Sequence, residues 1–99
     1  IAGQAWSMRM GADNIEIDEA GNLWTAGHPN ILALPAHAAD PASLSPSMVS
    51  MINPATNEVK EIFYSAGDDI SASSVAAYSQ GTLVIGAVFE EHVLVCSNQ

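Results

Sequence analysis

Apolar and polar residues alternate in short runs along this chain, and turn formers separate the runs in pairs. Asn14-Ile15-Glu16-Ile17-Asp18 switches between polar and apolar at every residue, the pattern of a half-buried strand. Glu19-Ala20-Gly21 follows as a turn in which Gly21 is free to take a positive φ, and Asn22 to Gly27 reads as the returning strand. Met48 to Ile52 and Val59 to Tyr64 form a second pair around Asn53-Pro54-Ala55-Thr56-Asn57. Ser74 to Tyr78 and Thr82 to Phe89 flank Ser79-Gln80-Gly81, and His92 to Cys96 is one more strand. Seven short strands with little helix predict an all-β, antiparallel fold.

Two of the hairpins read as copies. Gly21-Asn22-Leu23 returns as Gly81-Thr82-Leu83, and Ile15 is matched by Val75 at the same offset of 60 residues. The stretch from Asn30 to Pro46 reads as an insertion of 17 residues, and without it the period is 43 residues. That lies within the roughly 40–50 residues of a propeller blade. Leu83 to Phe89 is apolar on both faces, so it must be covered on both sides. Adjacent blades would do this. A two-sheet sandwich would too, but it predicts no repeat. Within the insertion, Ile31, Leu34 and Ala38 are spaced for one helix face, with Pro35 inside it. The expectation there is a rim loop with at most a turn or two of helix.

Charge narrows the classes of partner. Eleven acids stand against two bases, Arg9 and Lys60, for a net charge of −9. Nucleic-acid binding needs clustered Lys and Arg and is excluded as an expectation, and anionic membrane surfaces are disfavoured for the same reason. No apolar run approaches the ~18 residues of a spanning helix. With 99 residues, 48% of them hydrophobic, the chain is one domain at most, with a marginal core. It opens at Ile1, which reads as an internal cut. Cys96 is the only cysteine. No disulfide closes within the chain, and its apolar setting suits a small packing residue.

Few residues stand out for chemistry. Asp13-Asn14 offers hard oxygen ligands suited to Ca²⁺, or opens the hairpin as an Asx turn. Neighbours in an extended strand point in opposite directions, so each residue of the pair would reach a different ion. His28, before a long loop, faces a pocket as base or donor, or is structural. His37 and His92 lack acidic or Cys partners at ligand spacing and read as structural or exposed. Asp68-Asp69 reads as a solvated turn, and Ser73-Ser74 is too generic for a nucleophile. Trp6 and Trp24 read as packing residues.

Asp13-Asn14-Ile15, Gly21-Asn22-Leu23-Trp24 and Gly27-His28-Pro29-Asn30, in this order and spacing, resemble a signature stretch of the paraoxonase (arylesterase/lactonase) family. The likeness continues at Ser73-Ser74-Val75-Ala76-Ala77-Tyr78 and through Leu83 to Phe89, to a Cys near the end of the chain. This resemblance implies a six-bladed propeller of antiparallel four-stranded blades with two calcium ions in its tunnel. The chain would be a C-terminal fragment of about two incomplete blades: residues 13–64, with a rim insertion at 30–46, and residues 73–96 as the closing blade. Asp13 matches a ligand of the catalytic calcium, Asn14 a ligand of the structural calcium, and His28 a pocket-lining residue. Cys96 matches half of a disulfide whose partner lies near the N-terminus of the full chain, which favours an extracellular or periplasmic compartment.

In such a site Ca²⁺ would polarise the carbonyl of an ester or lactone and stabilise the oxyanion as water attacks. The remaining ligands and the general base would lie upstream. The expected function is therefore a calcium-dependent hydrolase of aryl esters or lactones, with the rest of the propeller as its structural partner. The alternative is a non-catalytic propeller module. The loop at 31–46 departs from the family in composition, and gluconolactonase-like and strictosidine-synthase-like propellers are more distant relatives, which leaves the substrate open.

Overall fold

The computed structural model describes residues 3–97. It is all-β apart from one short helix. The elements are β1 (Gly11–Ile17), β2 (Leu23–His28), α1 (Ala33–Ala39), β3 (Ser47–Asn53), β4 (Glu58–Ser65), β5 (Ser73–Ser79), β6 (Thr82–Ala87) and β7 (Leu94–Ser97). They form two antiparallel meanders, β1-β2-β3-β4 and β5-β6-β7, which stack face to face as in an incomplete propeller.

The turns are where the polar clusters placed them. Gln80 and Gly81 both have positive φ, 51° and 82°, and close a two-residue hairpin whose twist suits the flanking strands. Asn57, at φ 63°, ends the β3-β4 turn, where Asn53 Oδ1 also accepts the Ala55 N–H. Gly21 and Gly81 have nearly the same φ, 85° and 82°. The loops around them differ, since Ile17 pairs with Leu23 in the first hairpin and Ser79 with Thr82 in the second, so the match is of the glycine conformation and not of the whole turn.

Trp24, Ala26 and Val49 of the first sheet meet Ala76, Leu83 and Ile85 of the second, with Ile70 from the connection between the sheets. Trp24 stacks on Tyr78 with centroids 4.6 Å apart and planes 15° apart. Each fully buried aliphatic side chain in this layer is worth about 1.5–3 kcal/mol. The two inner strands touch at counterpart positions. Asn14 of β1 bonds to Ser74 of β5, and Ser79 Oγ donates to Glu19, each pair 60 residues apart.

Towards one rim the seam turns polar. Ser45, Ser47, Ser65, Ser71 and Ser73 are all buried. Ser47 Oγ donates to Ile70 O (2.7 Å) and accepts Ser73 N–H (3.1 Å), Ser73 Oγ donates to Gly27 O (2.9 Å), and Ser71 Oγ donates to Gly67 O (2.8 Å). These hydroxyls bond to backbone groups around the seam and tie the crossover at 66–72 to the start of β3.

Several details differ from expectation. α1 spans two turns, and Pro35 is its third residue, where a helix has no use for the missing N–H. The buried residue of α1 is His37, whereas Ala38, Ile31 and Leu32 are exposed. The apolar residues of β1 face solvent, with Ile15 59% and Ile17 69% exposed, so β1 is not half-buried within this chain. In β6, Leu83 and Ile85 are buried but Val84 is exposed beside exposed Val95, so only one of its apolar faces is covered among the described residues. β6 also stops at Ala87, leaving Val88 and Phe89 in a loop. Residues 3–10 lie against β4 and its turn: Gln4 and Trp6 donate to Asn57 Oδ1, and Arg9 forks onto Glu61 at 2.9 Å. No helix of the described residues is long and apolar enough to cross a membrane.

Candidate functional site

Strand direction gathers the candidate residues at one rim. β1 begins opposite the end of β2, with Gly11 paired to His28, and β5 begins opposite the end of β6, with Ser73 paired to Ala87. Asp13, Asn14, His28, Ser74 and the insertion carrying α1 therefore share an end of the two sheets.

The β1-β2 ladder slips at the site. Ala12 pairs with Gly27 and Ile15 with Thr25, so Asp13 and Asn14 together stand opposite Ala26. Such a bulge re-aims side chains. The strand alternation that would send Asp13 and Asn14 in opposite directions does not run through it. Gly27 makes the bulge possible, because a Cβ there would lie 2.0 Å from Gly11 O. Asp13 and Asn14 are both exposed. Asn14 Nδ2 donates to Ser74 O at 3.1 Å, which leaves Oδ1 free of partners among the described residues; Asp13 has neither hydrogen bond nor ion pair among them.

His28 ends β2 and is only 8% exposed, with Nε2 buried and unpartnered among the described residues. His37 was missed as a feature of the rim. Its Nδ1 lies 2.9 Å from Ser43 O, and because a carbonyl only accepts, Nδ1 carries the proton. Its Nε2 is also buried without a partner, and the ring meets Phe89 edge-on at 5.8 Å. No local pattern marks a histidine inside an Ala-rich insertion, because its aromatic contact, Phe89, lies in the distant loop after β6.

Other candidates resolve into structure. Ser73 Oγ is committed to backbone carbonyls, which rules it out as a nucleophile. Asp68 and Asp69 are exposed in a turn, with Asp69 N–H donating to Ser65 Oγ. His92 is exposed and bonds through Nε2 to Asp69 O. Trp6 is half-buried and Trp24 buried. Cys96 is half-buried and free among the described residues.

A cleft of about 450 Å³ opens at the other rim, lined by residues including Trp24, Met51, Phe63, Tyr78 and Cys96. It lies with the hairpin turns, away from Asp13 and His28. Asp18 stands at its edge. The Trp24 indole N–H, at 2.8 Å, holds the Asp18 carboxyl below its usual pKa; burial opposes this, and the Asn22 and Ala20 N–H groups add to the lowering. Ser79 does the same for Glu19.

No three His, Cys, Asp or Glu side chains converge among the described residues. Calcium takes six to eight oxygens, so Asp13 and Asn14 would supply only a share. Their chemistry fits that share. One is an unpaired carboxylate and the other an amide oxygen, both hard donors, and the Asn14 nitrogen is turned to another acceptor.

The Arylesterase family model matches residues 4–97. No curated protein matches the chain significantly. The matched span takes in both sheets, the bulge at Asp13-Asn14 and the histidine at the end of β2, and the chain belongs to the arylesterase family.

Proposed function

We propose that this chain supplies the last two blades of a six-bladed, calcium-dependent propeller that hydrolyses aryl esters or lactones. Family membership gives ester hydrolysis as the class of reaction and a small-molecule ester as the class of substrate. Calcium dependence, lactone hydrolysis and the residue roles are our reading. The observation that carries it is the β1 bulge, which presents Asp13 and Asn14 side by side at the rim with oxygens unclaimed by the rest of the chain.

A bound calcium ion would supply Lewis-acid polarisation of the ester carbonyl and a counter-charge for the oxyanion. Asp13 would hold it with a charged oxygen and Asn14 with a neutral one. His28 lies within the same rim, where an imidazole can orient the leaving group or hold a proton. The division of Asp13 and Asn14 between a catalytic and a structural ion rests on family resemblance alone, since the bulge removes the geometric reason for it. A disulfide from Cys96, half-buried in β7, to a cysteine elsewhere in the full chain rests on family resemblance alone.

The test is a calcium titration of the full-length protein and of Asp13→Ala and Asn14→Ala, followed by esterase activity and by melting temperature. Asp13→Ala should lose hydrolysis and keep most of its fold. Asn14→Ala should raise the calcium needed to stay folded. If calcium dependence is unchanged in both, the pair is an Asx turn and the calcium assignment falls.

A further inference from the structure

We propose that the bulge in β5 is a positioning element for Asn14, in which the Ser74 main-chain carbonyl locks the side-chain amide so that its oxygen faces the rim. The inference rests on the reading of Asn14 as a calcium ligand and adds to it what fixes the ligand.

The two ends of an amide are opposite in use to a cation, because the oxygen binds and the NH₂ repels. The terminal torsion of Asn is broad and roughly two-fold, so an unanchored side chain presents either end. Here the choice is forced. A carbonyl oxygen 3.1 Å from the side chain accepts only from nitrogen, so Nδ2 must face Ser74 and Oδ1 must face away. The carbonyl is available because of the ladder around it. Ser73 pairs with Ala87 and Val75 with Gly86, which leaves Ser74 as the extra residue of a bulge, outside the regular pairing with β6.

The two bulges are counterparts. Ser74 lies 60 residues after Asn14, the same offset that joins Glu19 to Ser79 at the other end of these strands. One copy of the bulge carries the ligand and the next copy carries its anchor. The second sheet therefore takes part in ion binding without contributing a ligand, and the affinity of the ion depends on the packing of one sheet on the other.

Calcium affinity measured by calorimetry on the full-length protein, beside the melting temperature of the calcium-free form, tests this. Asn14→Asp keeps an oxygen for the ion and adds a charge, so counting ligands predicts equal or tighter binding. The anchor predicts the reverse, because a carboxylate oxygen facing Ser74 O has no proton to donate. The expected result is calcium binding weakened about tenfold, close to Asn14→Ala, with the calcium-free melting temperature little changed. Ser74→Gly retains the carbonyl and should bind calcium like the parent.

Equal or tighter binding by Asn14→Asp overturns the proposal. So does weakening by Ser74→Gly, which would put the hydroxyl in the role. Asp13→Ala separates the two layers of inference. If it weakens calcium binding while Asn14→Asp does not, the calcium reading stands and the anchor falls. If it leaves calcium binding unchanged, the calcium reading itself has failed.

Discussion

Gly27 shows how one missing methyl group decides the geometry of the rim. A side chain there would collide with the Gly11 carbonyl, and main chain cannot yield as a flexible side chain can. Gly27→Ala should therefore cost about 1–3 kcal/mol of stability and shift Asp13 and Asn14 from their places. A fall in melting temperature, with a further loss of calcium response per folded molecule, would register both effects. His28→Gln should lower turnover per folded molecule by about tenfold or more. It should also lower the melting temperature modestly, because His28 is buried; an unchanged specific activity would make the residue structural. At this scale the sequence was informative about identity and weak about placement. Oxygen donors at Asp13 and Asn14 are legible from residue type alone. The bulge that aims them is not, since it depends on a glycine fourteen positions away in the partner strand.

The β1-β2 hairpin hangs on Asp18, whose carboxylate accepts from Trp24 Nε1 and from the Ala20 and Asn22 N–H groups. Its lowered pKa means that the folded state prefers the charged form. The stability it contributes is present above the unfolded value of about 3.9 and is lost as pH falls through the lower folded value. Melting temperature measured from pH 6 down to pH 3 should hold at first and then fall below about pH 4. Asp18→Asn should flatten that part of the acid limb and weaken the hairpin by about 1 kcal/mol. Elements of this kind were legible, since alternation and turn formers mark all seven strands. Helix α1 was half legible. Pro35 argues against a helix interior, but at the third position it removes only an N–H that has no intrahelical partner. The end of β6 was misjudged because the apolar run continues through Val88 and Phe89, and hydrophobicity does not distinguish a strand from an apolar loop over the next sheet.

For the whole molecule, the two-sheet stack leaves apolar side chains exposed on two sides, and the terminal strands of each sheet pair with one neighbour only among the described residues. Ile15 and Ile17 lie on one side, Val84 and Val95 on the other, and β7 pairs only with β6. The isolated 99-residue chain should therefore associate, and sedimentation should show oligomers with a broad, weakly cooperative melt. A monodisperse monomer with one sharp transition would show that two sheets suffice. The repeat made the architecture readable before any contact was known, yet it could not show which side of each sheet meets the next.

The contacts between counterparts, Asn14 with Ser74 and Glu19 with Ser79, carry a further consequence for how such chains diverge. Wherever sheets stack with like positions touching, a substitution in one is felt first by the same position in the next. Aligned relatives of the full chain should then covary along a band displaced from the diagonal by one blade length. In a closed ring that band must also return from the last blade to the first, and the partner of Ser74 on its other side would be found there.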